Sequence, residues 1–345
     1  MVGGKEGGSS NMMTFLSAVG LAFVIFTTIC LCKLVVALSI RTNFEAALLS
    51  ALPDDAYDGK VFWITGASSG IGRALALHLS SSHNNVKLIL SSRRRDILEE
   101  VADQCQQISK GVVEAKVLPL DLADHSTLPS IAEEALSMYG YVDVLVNNGG
   151  VTTRSMARNA EFGVDTYVNN IDFLSYVALT KSLLPSWEKN KHSKPIIINT
   201  SSVAGKIGVP VRTAYSSAKF AIQGWFDAFR IEQELAGYPV DVLNVVLGST
   251  RTNVARNAIT NSADVKFGET DDNIEAGLDS EFVVERVLAS AYANQKELWI
   301  APRKELLMLY LNQYMPNTAN KLLTKKVAKQ YAVEKRVNEK HYGEL

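Results

Sequence analysis

The chain has 345 residues, a hydrophobic fraction of 47% and a formal charge of -1 from 35 Lys+Arg against 36 Asp+Glu. That is enough apolar material for the core of one large α/β domain. The even charge balance excludes a nucleic-acid protein held by a broad basic field, so no nucleic-acid partner is expected.

Residues 1–12 read as a flexible, Gly/Ser-rich start. Residues 12–32, MMTFLSAVGLAFVIFTTICLC, carry no charge. A helix needs roughly 20 apolar residues to cross a bilayer, so a membrane anchor is predicted over 13–40, with a cleaved signal or a buried core helix as the alternatives. Lys33 and Arg41 follow the run, while Lys5 and Glu6 cancel before it. The positive-inside rule then puts the body in the cytosol. Residues 41–59 read as a connector of short helix and loop. Cys30 and Cys32 fall in the apolar run and Cys105 stands alone. None has metal-ligand spacing with a histidine, and no metal is expected.

From Lys60 the character changes. VFWIT, VKLIL, AKVLPL, VDVLVNN, PIIINT, VDVLNVV and KELWIAP are short apolar runs separated by segments of helical composition. This alternation predicts βαβ units: one doubly wound Rossmann-type domain, α/β, with a seven-stranded parallel sheet over 60–302. Strands this apolar are expected to be covered on both faces. The sequon Asn199-Thr200-Ser201 ends one of them and is expected to be buried. Beyond it, 303–345 reads as a helical tail. Residues 319–345 hold seven Lys/Arg against three Asp/Glu, which suits either an anionic membrane surface or a solvated helix face.

The first strand runs into TGASSGIG. Gly66, Gly70 and Gly72, with Ser68, Ser69 and Ile71 between them, form a Gly-rich turn between a strand and a helix. Such a turn lets the backbone and the helix N-terminus approach a pyrophosphate. The second strand ends in Ser91, Ser92, Arg93 and Arg94, with no carboxylate for a ribose hydroxyl and two guanidinium groups for a 2′-phosphate. This predicts NADP(H) over NAD(H). Asp121, followed by Leu122, stands where a short acid can accept from an adenine amino group. The fourth strand ends in Asn147-Asn148-Gly149-Gly150, which bonds backbone and leaves room for a flat ring. In TAYSSAK, Tyr215 and Lys219 lie one helical turn apart and share a face. Free tyrosine titrates near ~10, and a neighbouring ammonium stabilises its phenolate. In isolation this pair is more simply a half-buried helix with a snorkelling lysine.

TGASSGIG, NNGG and YSSAK in this order and spacing resemble the short-chain dehydrogenase/reductase family. With the apolar N-terminus and LLMLYLNQYMP, the chain looks closest to its membrane-anchored dehydrogenase/reductase member 7 branch. The resemblance implies a nicotinamide cofactor and a Ser–Tyr–Lys centre: Ser202, Tyr215 and Lys219, with Lys219 also on the nicotinamide ribose. Gly248, Thr250 and Thr252 follow the sixth strand, and Thr252 matches the threonine that bonds the nicotinamide amide. Leu247 stands where the family has proline. The family's supporting asparagine aligns with Asp172 and the family's following glycine with Ser175. Either Asp172 fills that role or the register shifts to Asn169. Val209 and Pro210, with Val254, Ile259, Val265 and Phe267 of the long 249–280 segment, are expected to line an apolar substrate pocket. An anchor favours lipophilic carbonyls such as steroids or retinoids. The branch implies the endoplasmic reticulum membrane, and the family implies a homodimer or homotetramer. A 3-ketoacyl reductase, or a cofactor-binding membrane protein of low turnover, are the rival readings.

Overall fold

The computed structural model describes residues 17–29, 31, 41–82, 85–190, 194–269, 272–325, 327 and 328. All seven expected strands form: β1 Val61–Thr65, β2 Lys87–Ser91, β3 Glu114–Val117, β4 Val144–Asn147, β5 Ile196–Thr200, β6 Asp241–Leu247 and β7 Glu297–Ile300. They make one parallel sheet in the order β3-β2-β1-β4-β5-β6-β7. The connecting helices are α1 Gly70–Ser82, α2 Arg95–Ile108, α3 Leu128–Tyr139, α4 Phe162–Asn169, α5 Ser175–Lys189, α6 Thr213–Leu235 and α7 Ser280–Tyr292, and α8 Arg303–Tyr314 follows the last strand.

Alternation along each strand feeds two cores. Phe62, Ile64, Leu88, Leu90, Val144, Val146, Leu243 and Val245 face one layer, with α1, α2 and α7. Val61, Trp63, Ile89, Leu145, Ile197 and Val242 face the other, with α3, α5 and α6. Every residue of β1 and β4 is buried, as double coverage requires. The sheet interior also holds an amide ladder. Asn147 donates to Asn199 (2.9 Å), and Asn199 donates to Asn244 (3.1 Å), each pair facing across the strand register. Asn199 is therefore a core residue, so the acceptor asparagine of the sequon is buried as expected, while Thr200 is half-buried.

The chain runs outward from β1 to β3 and returns to β4 beside β1. Ligands of such sheets bind where the strand order reverses, off the carboxyl ends. The Gly-rich turn after β1 and the NNGG segment after β4 meet at that place.

The connector is more than a spacer. Ala46 and Tyr57 are buried in the first core, and Tyr57 donates its hydroxyl to the Leu288 carbonyl at 2.7 Å. Thr42 pairs antiparallel with Ile300, and the Asn43 side chain caps the backbone of Trp299 at 3.1 Å, so this segment covers the β7 edge. Residues 17–29 are helical, with most of their side chains exposed. Among the described residues, no helix is long and apolar enough to cross a membrane. The rest of the expected 13–40 anchor, apart from residue 31, lies outside the described residues, as does the tail beyond 328. After α8 ends at Tyr314, residues 316–325 are again helical, with Pro316 at a first-turn position, where its missing N–H costs nothing.

Candidate active site at the sheet's crossover

The Gly-rich turn is set by close approach. Gly66 has φ +68, and a Cβ there would stand 2.6 Å from the Gly149 Cα. Gly70 has φ +57, opening α1 in a conformation that favours glycine. Gly72 does not face the cleft. A Cβ on it would meet the Gly66 carbonyl oxygen at 2.5 Å, so it packs α1 onto the turn. Thr65 ties the two loops together: its hydroxyl donates to the Val146 carbonyl (3.0 Å) and accepts the N–H groups of Asn148 (2.9 Å) and Gly149 (3.1 Å). Asn148 reaches back to donate to the Thr65 carbonyl at 3.0 Å. Gly149 is also set by close approach. A Cβ there would meet a Leu122 methyl at 2.6 Å and the Gly66 nitrogen at 3.2 Å.

These loops border a cleft of about 820 Å³. Of the expected cofactor residues, Gly66, Ser68, Ser69, Gly70, Ile71, Arg93, Arg94, Asp121, Leu122, Asn148, Gly149, Gly150, Gly248, Thr250 and Thr252 all line it. Arg94 donates to the Ser68 hydroxyl at 3.3 Å, joining the second strand's end to the Gly-rich turn. The Asp121 carboxylate accepts the Ala123 N–H at 3.0 Å, which holds its own turn. A cradle that a single Cβ would fill, with Arg93 and Arg94 at one end, fits a dinucleotide carrying phosphate groups.

Deeper in the same cleft lies the acid/base centre. β5 ends at Thr200, and Ser202 follows in an extended conformation. Its Oγ accepts the Ala204 N–H at 3.1 Å, which leaves the hydroxyl proton for a ligand oxygen. α6 starts at Thr213, putting Tyr215 and Lys219 one turn apart on the cleft side. Lys219 is 3% exposed, and its Nζ donates to the Thr200 carbonyl at 2.9 Å. The same Nζ lies 5.5 Å from the Tyr215 ring centroid and 5.4 Å from that of Tyr176.

Of Asp172 and Asn169, Asp172 is the one that faces Lys219. A π-helical turn, Asn170–Leu174, separates α4 from α5 and turns Asp172 inward. Its Oδ1 accepts the Val151 N–H at 2.7 Å, and its Oδ2 lies 3.2 Å from Lys219 Nζ. Asn169 instead donates to the Asp165 carbonyl (2.8 Å) and to Ser217 (3.1 Å), on the outer side. Gly150 makes room for the carboxylate, since a Cβ there would stand 3.1 Å from both of its oxygens. Ser175, in the family's glycine position, is fully buried and donates to the Ile171 carbonyl at 2.6 Å, within the π turn.

Burial pushes the Asp172 carboxyl up, against the lowering effects of Lys219 and the Val151 N–H. For Lys219, burial acts downward. Asp172 first, then Tyr176 and Tyr215, outweigh it and hold the ammonium above its ordinary value. Lys219 is thus a fixed cation beside Tyr215.

The substrate side departs from expectation. Val254 and Ile259 line the cleft, while Val209, Pro210, Val265 and Phe267 do not. The 209–212 turn closes on itself, with Arg212 N–H donating to the Val209 carbonyl at 3.2 Å, and Val211 takes φ +59. Arg212 lines the cleft instead, with Arg154 and Lys266. The long segment after β6 is strapped down: Ile259 pairs with Thr153 and with Lys266, and Thr250 pairs with Leu278. Sequence reasoning missed Tyr176, fully buried and donating to the Gly149 carbonyl at 3.0 Å. It sits inside the apolar helix pattern of YVALTK, which carries no local signal of a site.

A parallel sheet with a glycine cradle at its crossover and a serine, tyrosine and buried lysine below it defines a nicotinamide-dependent oxidoreductase of the Rossmann class. The short chain dehydrogenase family profile matches residues 60–263, and the chain belongs to the short-chain dehydrogenase/reductase family. Dehydrogenase/reductase SDR family member 7 of Homo sapiens is 36% identical over 264 residues, covering 75% of each chain. Member 7B of Xenopus tropicalis is 34% identical over 273 residues, covering 78% of this chain and 86% of that protein. Two solved structures share the fold. One is an alcohol dehydrogenase from Thermococcus sibiricus complexed with 5-hydroxy-NADP (TM-score 0.60, 23% identity, 70% of this chain and 96% of that one). The other is a Burkholderia phymatum short chain dehydrogenase/reductase in complex with NAD (TM-score 0.64, 20% identity, 75% and 94%).

Proposed function

We propose that the chain is an NADP(H)-dependent carbonyl reductase or alcohol dehydrogenase acting on lipophilic substrates. The observation that carries this reading is the buried Lys219 ammonium, fixed by Thr200 and Asp172 beside the Tyr215 ring, in one cleft with Ser202 and the glycine cradle. Ser68, Arg93 and Arg94 would hold the 2′-phosphate end, and Thr250 and Thr252 the nicotinamide end. A bound nicotinamide supplies or accepts hydride. Ser202 holds the substrate oxygen where charge develops. Tyr215 gives that oxygen a proton in reduction and takes one in oxidation, with Lys219 favouring the negative charge that grows on the phenol.

The cofactor preference rests on Arg93 and Arg94. Each hydrogen bond to a charged group contributes ~1.5–3 kcal/mol, so the double variant Arg93→Ala/Arg94→Ala, which removes two, should weaken NADPH binding by about 10²–10⁴-fold. NADH binding should stay within about threefold. Titration of protein fluorescence with both cofactors checks this, and wild-type preference for NADH would end the NADP reading.

Arg154, Arg212 and Lys266 favour a second substrate class, a 3-ketoacyl thioester whose carrier is anionic. Steroid and retinoid carbonyls, small aldehydes and a ketoacyl-CoA, each supplied with NADPH, separate the two. Reduction of small water-soluble aldehydes alone would defeat both.

The anchor over 13–40, in the endoplasmic reticulum membrane with a cytosolic body, remains part of the proposal. It is supported by the uncharged run and the helix at 17–29. Release of the full chain from membranes by alkaline carbonate would refute it. Pairing into a homodimer is supported by the exposed Phe220 and Ile231 along α6, and sedimentation at micromolar concentration tests it.

A further inference from the structure

The turn after β6, Gly248–Ser249–Thr250, carries the residues placed at the nicotinamide end, yet it has lost the proline that stiffens it in the family. Proline restricts φ and lowers the freedom of the unfolded chain, so Leu247 leaves this turn with more conformations to lose. The structure holds it another way. The Ser249 backbone N–H donates to Glu305 Oε2 at 2.9 Å, and the Ser249 hydroxyl donates to Glu305 Oε1 at 2.6 Å. Both carboxylate oxygens of one side chain are spent on one residue of the turn. A Cβ at position 248 would stand 2.5 Å from Glu305 Oε2, so Gly248 is also what lets the carboxylate come this close. The other flank is held by backbone: Leu278 N–H donates to the Ser249 carbonyl (2.9 Å), and Arg251 N–H donates to the Leu278 carbonyl (3.0 Å).

Glu305 is itself well anchored. It lies in the first turn of α8, which buries Leu306 and Leu309, and Leu309 packs with Ile207 and Val246. Asn312, further along α8, donates to the Lys206 carbonyl at 3.1 Å, in the turn that follows Ser202. One helix therefore braces both the nicotinamide turn and the segment after the catalytic serine. That helix lies beyond residue 263, where the family match ends.

We propose that Glu305 is a positioning residue for the cofactor: its carboxylate clamps Ser249 and so fixes the Gly248–Thr250 turn in the conformation that receives the nicotinamide, replacing the missing proline. This deepens the proposed function and rests on its cofactor reading. Charge-assisted hydrogen bonds to backbone are among the stronger local constraints.

The test uses the full chain with Glu305→Ala, Glu305→Gln and Ser249→Ala. Hydrogen exchange is read on the cofactor-free protein, and NADPH affinity by fluorescence titration. Glu305→Ala should raise the NADPH Kd about tenfold. Glu305→Gln should raise it less, because its amide oxygen still accepts one of the two bonds. In cofactor-free Glu305→Ala, exchange at the Ser249 amide should quicken at least tenfold, while amides of β1 and β4 keep wild-type rates. Adding Ser249→Ala to Glu305→Ala should weaken binding little further, because the two act through one contact. An unchanged Kd overturns the inference. So does a raised Kd with wild-type exchange at Ser249, or faster exchange spread across the whole sheet. Wild-type protein that bound neither NADPH nor NADH would instead sink the cofactor reading, and the Ser249 exchange rate would still decide whether the clamp exists.

Discussion

Replacing Tyr215 with Phe is expected to lower kcat by about 10²–10⁴-fold, the usual worth of a positioned proton donor or acceptor. The fold should survive. Tyr215 is only part-buried, and its ring packs at the edge of the small cluster of Val164, Val168, Ala214, Ala218 and Ile259, contacts that phenylalanine keeps. NADPH affinity should change little, because Ser68, Arg93, Arg94 and the glycine cradle are untouched. The expected pattern is thus a collapse of kcat with a nearly constant Kd for NADPH. Turnover equal to wild type would remove Tyr215 as the acid/base group. Equal losses in kcat and cofactor binding would make it a structural residue.

The second large effect is at Asp172, and here two variants should part company. Asp172→Ala removes the carboxylate 3.2 Å from Lys219 and the acceptor of the Val151 N–H, at a site with no solvent exposure. An ammonium left buried without its partner costs about 3–5 kcal/mol, so this variant should unfold at markedly lower urea concentration and lose most activity. Asp172→Asn keeps an oxygen for Val151 and supplies the residue the family normally carries, so kcat within about tenfold of wild type is expected.

The titration of Asp172 has a definite sign. Burial raises its carboxyl above the ordinary value of 3.8, so the folded state binds the proton more tightly than the unfolded state. Its contribution to stability is then full below 3.8 and is lost as pH rises through the folded value. Asparagine has no such titration. The stability difference, wild type minus Asp172→Asn, should therefore fall as pH rises from the acid side and then level off. Urea melts across pH would show this, and a difference that grew with pH would contradict the burial argument. Lys219 is also raised, so its contribution is complete below its ordinary value of 10.5 and lost only in more alkaline solution.

Much of this molecule could be read along the chain. The seven strands were legible because a sheet covered on both faces demands short, largely apolar runs, and VFWIT or PIIINT can serve few other purposes in such a layer. The glycine cradle was legible because positive φ and backbone approach leave no alternative residue. Tyr215 and Lys219 were legible as a pair because helix geometry makes residues four apart share a face. What the linear order could not determine was contact between segments far apart in it. Whether Asp172 or Asn169 meets Lys219 depended on a π turn that adds one residue to the helix and swings the carboxylate inward. Val209 and Pro210 left the cleft, and Arg212 entered it, because a tight turn rotated that segment. Glu305 gave no signal at all, since its meaning lies in a turn more than fifty residues earlier. Local pattern encodes which elements form and which face each side buries. Only closure of the sheet and its helices settles which two charged or polar groups, remote in sequence, are held within a hydrogen bond of each other.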